Sequence, residues 1–379
     1  MTEPDDGPDR PWLVMLSGSP WHAAAHRQQA LARELSRDVA GGYRVLFVDP
    51  PANRPRWSFS VRPEGASLWL ATVPSLLPFG RQVPVANRSG RRLSGRSLRR
   101  WLDTRPGRRL LWIDEDLAAP LAGHLGEVTV VYDATDLDWT FTRPWNRRNL
   151  QRSLRSAVGA ADLVLASSSA LPAHLPTGGP TPVVVANACD PELFSPDGPT
   201  APWVDALPRP RIGYLGAVDT RAFDAALVAA MARAHPDWSF VVVGPSTPAG
   251  RAPLAGLTNV HLHDAVPYVD TPAILRGCSV GIIPYRTGGL IDYVHPKKCF
   301  EYLAVGLPVV ATPLPALAAL DAPIRLAAGP QEFTASIQAA LDEGTAARAV
   351  AERRATALAN SWAARGDQVR GLLAAVMAR

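Results

Sequence analysis

Short apolar, β-rich runs alternate with helical stretches along nearly the whole chain. That alternation admits few folds, because strands separated by helices form βα units and parallel sheets. It comes in two batches. Trp12 to Leu16, Val45 to Val48, Leu110 to Ile113, Val128 to Tyr132, Leu163 to Ala166 and Val183 to Val185 predict one Rossmann-like sheet, several of these being continuous apolar runs suited to a sheet covered on both faces. Ile212 to Leu215, Phe240 to Val243, Val260 to Leu262, Val280 to Ile283 and Val309 to Ala311 predict a second, with helical stretches such as Phe223 to Ala234 between them. The two batches are separated by a stretch carrying Pro196, Pro199, Pro202, Pro208 and Pro210, which reads as a linker. The expected organisation is therefore α/β: a first Rossmann-like domain over 1–195, a linker over 196–210, a second Rossmann-like domain over 211–350, and a helical segment over 351–379 that packs back on the first domain.

Composition narrows the class. With 379 residues, 47% hydrophobic and 19% charged, the chain has the mix of ordinary globular domains, which excludes collagen-like, coiled-coil and wholly disordered readings. A net charge of +5 is too small by itself to predict a nucleic-acid binder. Lysine occurs only at Lys297 and Lys298, in a chain otherwise dependent on arginine for positive charge. Cys189, Cys278 and Cys299 show no CxxC spacing, so neither a disulfide framework nor a cysteine zinc site is expected, and a cytoplasmic location fits. The acidic start MTEPDDGPDR reads as a frayed tail, and the uncharged apolar run Tyr302 to Leu320 is broken by Pro308, Pro313 and Pro315.

Open α/β sheets bind ligands beyond the carboxyl ends of their strands, so the loops there hold the candidates. After the first strand come Ser17, Gly18, Ser19, Pro20, Trp21 and His22: small residues that allow close backbone approach, then an aromatic and an imidazole, with no GxGxxG dinucleotide fingerprint. Such a turn serves either as a ligand loop or as a tight strand-to-helix connection over a buried Trp. After the strand ending at Tyr132 come Asp133, Asp136 and Asp138, which can position acceptor hydroxyls, assist proton transfer or bind a cation, or else cap a helix. Asp133 is favoured for function and Asp138 for capping. After the first strand of the second batch, Gly216 and Arg221 can meet a diphosphate through backbone N–H groups and a guanidinium.

The richest constellation runs from Ile282-Ile283-Pro284-Tyr285 through Gly288-Gly289 to His295-Pro296-Lys297-Lys298 and on to Glu301. If a helix starts near Pro296, Lys298 and Glu301 share a face, where the lysine can neutralise phosphate oxygens and the carboxylate can accept from a sugar diol. A local Lys–Glu pair on a solvated face is the plainer alternative. Separately, Arg81 to Arg109 carries ten arginines, fit either for an anionic surface or for a solvated helix face.

The segment PKKCFEYLAVGLPVVAT, Pro296 to Thr312, resembles the donor-binding segment of the retaining GT-B glycosyltransferases of the group 1 type, in particular the branch with teichuronic-acid biosynthesis enzymes. The resemblance extends through IGYLGAVD, HPDWSFVVVGP, NVHLHDAVPYVDTPAIL and GIIPY, and more weakly through RQQALARELS, RVLFVDPP, VVYDATD and ADLVLASS. It implies two facing Rossmann-like domains with an interdomain cleft, a UDP- or GDP-linked sugar donor, transfer to an acceptor hydroxyl with retention, and no metal or other cofactor. Carried over, Glu301 would bind the ribose, Lys298, Gly216 and Arg221 would lie near the diphosphate, Val266 and Tyr268 would border the base, and Tyr285, Gly288, Gly289 and His295 would lie about the donor. Asp133 and His22 are the first-domain candidates for catalysis at the acceptor, with Gly18, Ser19, Trp21 and Asp136 beside them. Two departures stand out: Tyr293 occupies the position eight before Glu301 where many members carry a second glutamate, and Asn187-Ala188-Cys189-Asp190 replaces an NGVD turn. The missing glutamate motivates a second expectation, a sugar-nucleotide-binding partner subunit without turnover. The arginine segment motivates a third, an anionic-surface binder. No nucleic-acid partner is expected, while peripheral contact with the inner face of a membrane stays open.

Overall fold

The computed structural model describes residues 10–22, 26–52, 54–75, 83–137, 144–344 and 346–378. The acidic start over 1–9, Arg81 and Asp138 lie outside the described residues. The chain divides into two compact units, 1–186 together with 365–379, and 187–364.

In the first unit an eight-stranded sheet is ordered β3-β4-β2-β1-β5-β6-β7-β8 among the described residues. Its members are β1 (Trp12–Leu16), β2 (Arg44–Val48), β3 (Ser60–Gly65), β4 (Leu68–Thr72), β5 (Arg109–Ile113), β6 (Thr129–Ala134), β7 (Leu163–Ala166) and β8 (Val183–Val184). All neighbours pair in parallel except β3 with β4. All five residues of β1 and of β2 are buried, as continuous apolar strands between helical layers must be. The β3–β4 hairpin was not anticipated: β3 is an edge strand whose residues are almost all exposed, with Pro63 in it, and it has no apolar alternation to betray it.

The second unit holds β9 (Arg211–Leu215), β10 (Ser239–Val243), β11 (Val260–His263), β12 (Val280–Ile283), β13 (Val309–Ala311) and β14 (Ile324–Leu326), ordered β11-β10-β9-β12-β13-β14 and wholly parallel. The strand order reverses direction between β9 and β12, and a ligand crevice belongs at such a switch point. In the first sheet the reversal falls between β1 and β5.

The proline-rich stretch is not a free linker. Pro202 opens a short helix, Pro202–Asp205, where a missing N–H costs nothing. Val204 is fully buried among Ile274, Leu275 and Cys278, Trp203 stacks on His263 at 3.9 Å, and Arg211 reaches Asp205 at 2.9 Å. Residues 187–210 thus pack with the second unit. The helix Ala347–Ala359 also packs there, its buried Arg353 donating to Gly306 O at 3.0 Å and pairing with Glu343. The last helix, Trp362–Met377, belongs to the first unit from Arg365 onward: Arg365 Nε donates to Ala186 O at 3.1 Å and Arg370 Nη1 to Glu34 O at 2.8 Å, with Val369 and Leu373 fully buried. No described helix is long and apolar enough to cross a membrane.

Candidate functional site

In the second unit the chemistry gathers at the β9/β12 reversal. The helix Lys298–Val305 begins there with every residue buried, and it ends at Gly306, whose φ of 90° forms the left-handed cap. Tyr302 anchors it to the sheet, accepting from Leu215 N at 2.8 Å, while its ring lies so close to Gly281 that a Cβ there would come within 2.4 Å of it. This packing carries Lys298 to the carboxyl end of β9. Its Nζ lies 4.2 Å from the Tyr214 ring centre and 4.9 Å from that of Tyr285. Lys298 is 9% exposed, and among the described residues no carboxylate pairs with it. A nearly buried ammonium held by two aromatic faces retains an unspent charge for an anion.

Gly216 lies against the Lys298 ammonium. A Cβ on it would come 2.3 Å from Lys298 Nζ, and its φ of 153° favours glycine as well. One on Gly244 would strike Gly216 O at 2.1 Å. Both strand ends are therefore glycine because backbone and ammonium crowd together.

Glu301 pairs not with Lys298 but with Lys297, Nζ to Oε1 at 3.2 Å, and accepts from the Tyr268 hydroxyl at 2.7 Å. The Lys297 ammonium also sits 4.3 Å over the Tyr268 ring. The reason is the helix start: with Lys297 capping and Lys298 first, i and i+4 bring Lys297 to the carboxylate. Burial and then the Glu301 charge push the Tyr268 hydroxyl far above the usual phenol range, so it acts as a fixed donor. Val266 lies half-buried beside the same core.

The remaining second-unit candidates divide. Tyr285 presents its ring to Lys298 and bridges to Phe223. Gly288 and Gly289, φ 93° and 74°, form an exposed loop after β12, with Gly288 N donating to Asp292 at 2.9 Å. Arg221 is 71% exposed and held by Asp219 at 2.8 Å, so its charge is already answered. Burial alone would raise Asp219, but hydrogen bonds from Ala222 and Arg221 outweigh it and hold the carboxyl below its ordinary value. The His295 ring is buried against Phe300 at 5.5 Å, with both nitrogens shut off from solvent, and it supports the helix entry rather than an open surface.

In the first unit the reversal between β1 and β5 brings Gly18 to Asp114, Gly18 N donating to Asp114 Oδ1 at 2.7 Å. Ser19 N is held by Ser17 Oγ at 3.1 Å. Trp21 is buried, its Nε1 donating to Glu64 at 3.0 Å and its ring edge-on to Phe47, so it packs rather than lines a surface. His22 is exposed with Nε2 2.9 Å from an Arg62 Nη2, and Asp136 is exposed after β6.

Asp133 is a correction. Strand β6 runs on to Ala134, which places Asp133 inside the sheet rather than beyond it. It is fully buried, and Arg27 Nε and Nη2 donate to its two oxygens at 2.9 Å each. Both oxygens are committed to the ion pair with Arg27. The residue that sequence reasoning passed over is Asp114. It is 8% exposed, and its Oδ2 finds no hydrogen-bond partner among the described residues. Burial, then the Asp133 and Glu115 charges, raise it well above the ordinary aspartate value against the lowering by Gly18 N–H and Gln28. Its position directly after a predicted strand was the available signal. Burial pushes the Cys278 and Cys299 thiols up to about 12, and Cys189 higher, so none is a ready nucleophile. Among the described residues no cluster of three His, Cys, Asp or Glu is placed to hold a metal ion.

Residues 209–343 match the family model described as glycosyl transferases group 1. Over 211 residues the chain is 28% identical to a putative teichuronic acid biosynthesis glycosyltransferase, TuaH, of Bacillus subtilis (strain 168), which covers 51% of this chain and 53% of that protein. The chain thus spans about half the length of the curated relative it matches. The fold is similar to that of a sucrose-phosphate synthase from Thermosynechococcus elongatus, with a TM-score of 0.72 at 17% identity over 97% of this chain and 100% of that one. It is also similar to Anabaena Alr3699/HepE, solved in complex with UDP and glucose, with a TM-score of 0.64 at 16% identity over 97% and 99% of the two chains.

Proposed function

We propose that the chain is a group 1 glycosyltransferase of GT-B fold, and that it moves a glycosyl group from a UDP- or GDP-linked sugar to an acceptor hydroxyl, with retention and without a metal. The observation that carries the donor assignment is Lys298, a nearly buried ammonium without a carboxylate partner at the switch point of the second sheet. Breaking the bond from the anomeric carbon to the diphosphate leaves negative charge on phosphate oxygens, and a preplaced cation stabilises that charge as it develops. Glu301, with Oε1 held by Tyr268 and Lys297, keeps Oε2 for a ribose hydroxyl. UDP is the first nucleotide to test, because the similarly folded HepE was solved with it.

In a retaining transfer the departing diphosphate oxygen takes the acceptor proton on the same face, so the chain's own residues chiefly position and neutralise charge. On the acceptor side Asp114 replaces Asp133 as the carboxyl to consider, since it has an uncommitted oxygen. Calorimetric titration with UDP, GDP and ADP, repeated on a Lys298→Ala, Glu301→Ala double variant, tests the donor site. Selective binding of one nucleotide, lost in the variant, is expected. Binding of none would sink the proposal, and binding without turnover of any sugar nucleotide would favour the partner-subunit alternative.

A further inference from the structure

The helix Pro84–Leu102 sorts its residues sharply. Asn87, Arg91, Ser94, Gly95, Leu98 and Leu102 are buried, with Arg91 paired to buried Glu115 and Asn87 Nδ2 donating to Leu117 O at 2.9 Å. The outward row Val85, Arg88, Arg92, Arg96 and Arg99 follows i+3 and i+4 spacing, and Arg100 stands beside it. The helix contains no acidic residue. Among the described residues Arg92, Arg96 and Arg100 make no ion pair, while Arg99 and Arg109 share Asp103 at 3.7 and 2.9 Å. Five guanidinium groups, those of Arg88, Arg92, Arg96, Arg99 and Arg100, thus stand exposed on this one helix.

The face is also shaped. Arg92, Gly95, Arg96, Arg99, Leu121 and His124 surround a concavity of about 290 Å³. That lies at the small end for ligand pockets, with room for a phosphate group among the guanidinium groups. Gly95 makes it, since a Cβ there would meet Leu121 Cδ2 at 2.7 Å. Arg99 Nη1 donates to His124 O at 3.4 Å, and His124 Nδ1 is 2.9 Å from Ala122 O, which leaves Nε2 for a ligand. Guanidinium forks match phosphate oxygens in number and spacing. At the head of the row Val83 and Val85 are 53% and 70% exposed. A merely solvated basic face requires neither a pocket nor apolar neighbours.

We propose that this face is a membrane contact in which Arg92, Arg96 and Arg99 grip the phosphate of an anionic lipid headgroup while Val83 and Val85 meet the acyl boundary. The contact is independent of sugar transfer and is tested without it. The full chain is sedimented with vesicles of phosphatidylcholine alone and of phosphatidylcholine mixed with phosphatidylglycerol, at low and at high salt. Binding to the mixed vesicles is expected, weakened by salt. The Arg92→Gln, Arg96→Gln, Arg99→Gln variant should lower the partition coefficient roughly a hundredfold, each lost charge near an anionic surface counting about tenfold or less. The corresponding triple lysine variant keeps most of the binding, and Arg96→Gln alone provides the milder test if the triple variant unfolds. Glycerol phosphate in solution and duplex DNA are the competing sources of phosphate. Absence of vesicle binding, retention on DNA or glycerol phosphate in its place, or equal vesicle binding by the folded triple glutamine variant overturns the proposal.

Discussion

Lys298 and Asp114 are buried polar residues of opposite kind, and each has a distinct signature under substitution. Lys298→Met removes an ammonium that folding leaves without a carboxylate, so nucleotide affinity should fall about ten- to a hundredfold, the worth of a charge-assisted bond, while the melting temperature holds or rises. Calorimetry and thermal unfolding on the same sample check both halves; a large loss of stability would show the lysine to be structural. Gly216→Ala should weaken nucleotide binding in the same titration, because its methyl group would push the Lys298 ammonium aside and strain a backbone of φ 153°; unchanged affinity would show that Lys298 adapts. Asp114 is raised above its unfolded value, so its contribution to stability is present at low pH and disappears as pH climbs through the raised value. Asp114→Asn should therefore gain on the wild type as pH rises; a gap constant from acid to neutral pH would contradict this. The Lys298 and Glu301 positions were legible in the sequence, because a glycine loop, adjacent lysines and a glutamate stand at the entry to a strongly apolar helix. Their partners were not, since the choice between Lys297 and Lys298 as partner of Glu301 turns on one residue of helix start.

Elements show the same limit. The two sheets could be read from continuous apolar runs, but the end of β6 could not, and two further residues of strand turned Asp133 from a loop carboxylate into half of a buried ion pair. Arg27 also donates to Val185 O at 2.7 Å, so this pair ties the helix Arg27–Leu35 both to β6 and to the residues just after β8. Asp133→Ala should cost about 3 to 5 kcal/mol in denaturant unfolding, because a guanidinium remains buried alone. An Arg27→Met, Asp133→Leu double variant should recover most of that, and turnover per folded molecule should change little in either; a selective loss of turnover would restore Asp133 to the chemistry. The stretch 196–210 departs from a free linker for a related reason: prolines that exclude a long helix still begin a short one, and Val204 then packs.

At the scale of the molecule, the boundary between the units is crossed twice, at 186/187 and within the helix Trp362–Met377 at 364/365. The second unit is one uninterrupted stretch, whereas the first recruits residues 365–379 to cover its core. Removing 365–379 should uncover the ground beneath Val369 and Leu373 and lower the unfolding transition of the first unit, while residues 187–364 produced alone should still unfold cooperatively in calorimetry. On the ribosome this reverses the usual sequence of events, in which the amino-terminal domain finishes first. The early half emerges with its strands but reaches its full stability only once residues 365–379 have been made, so the maturation of the first-synthesised unit is timed by the last residues it uses.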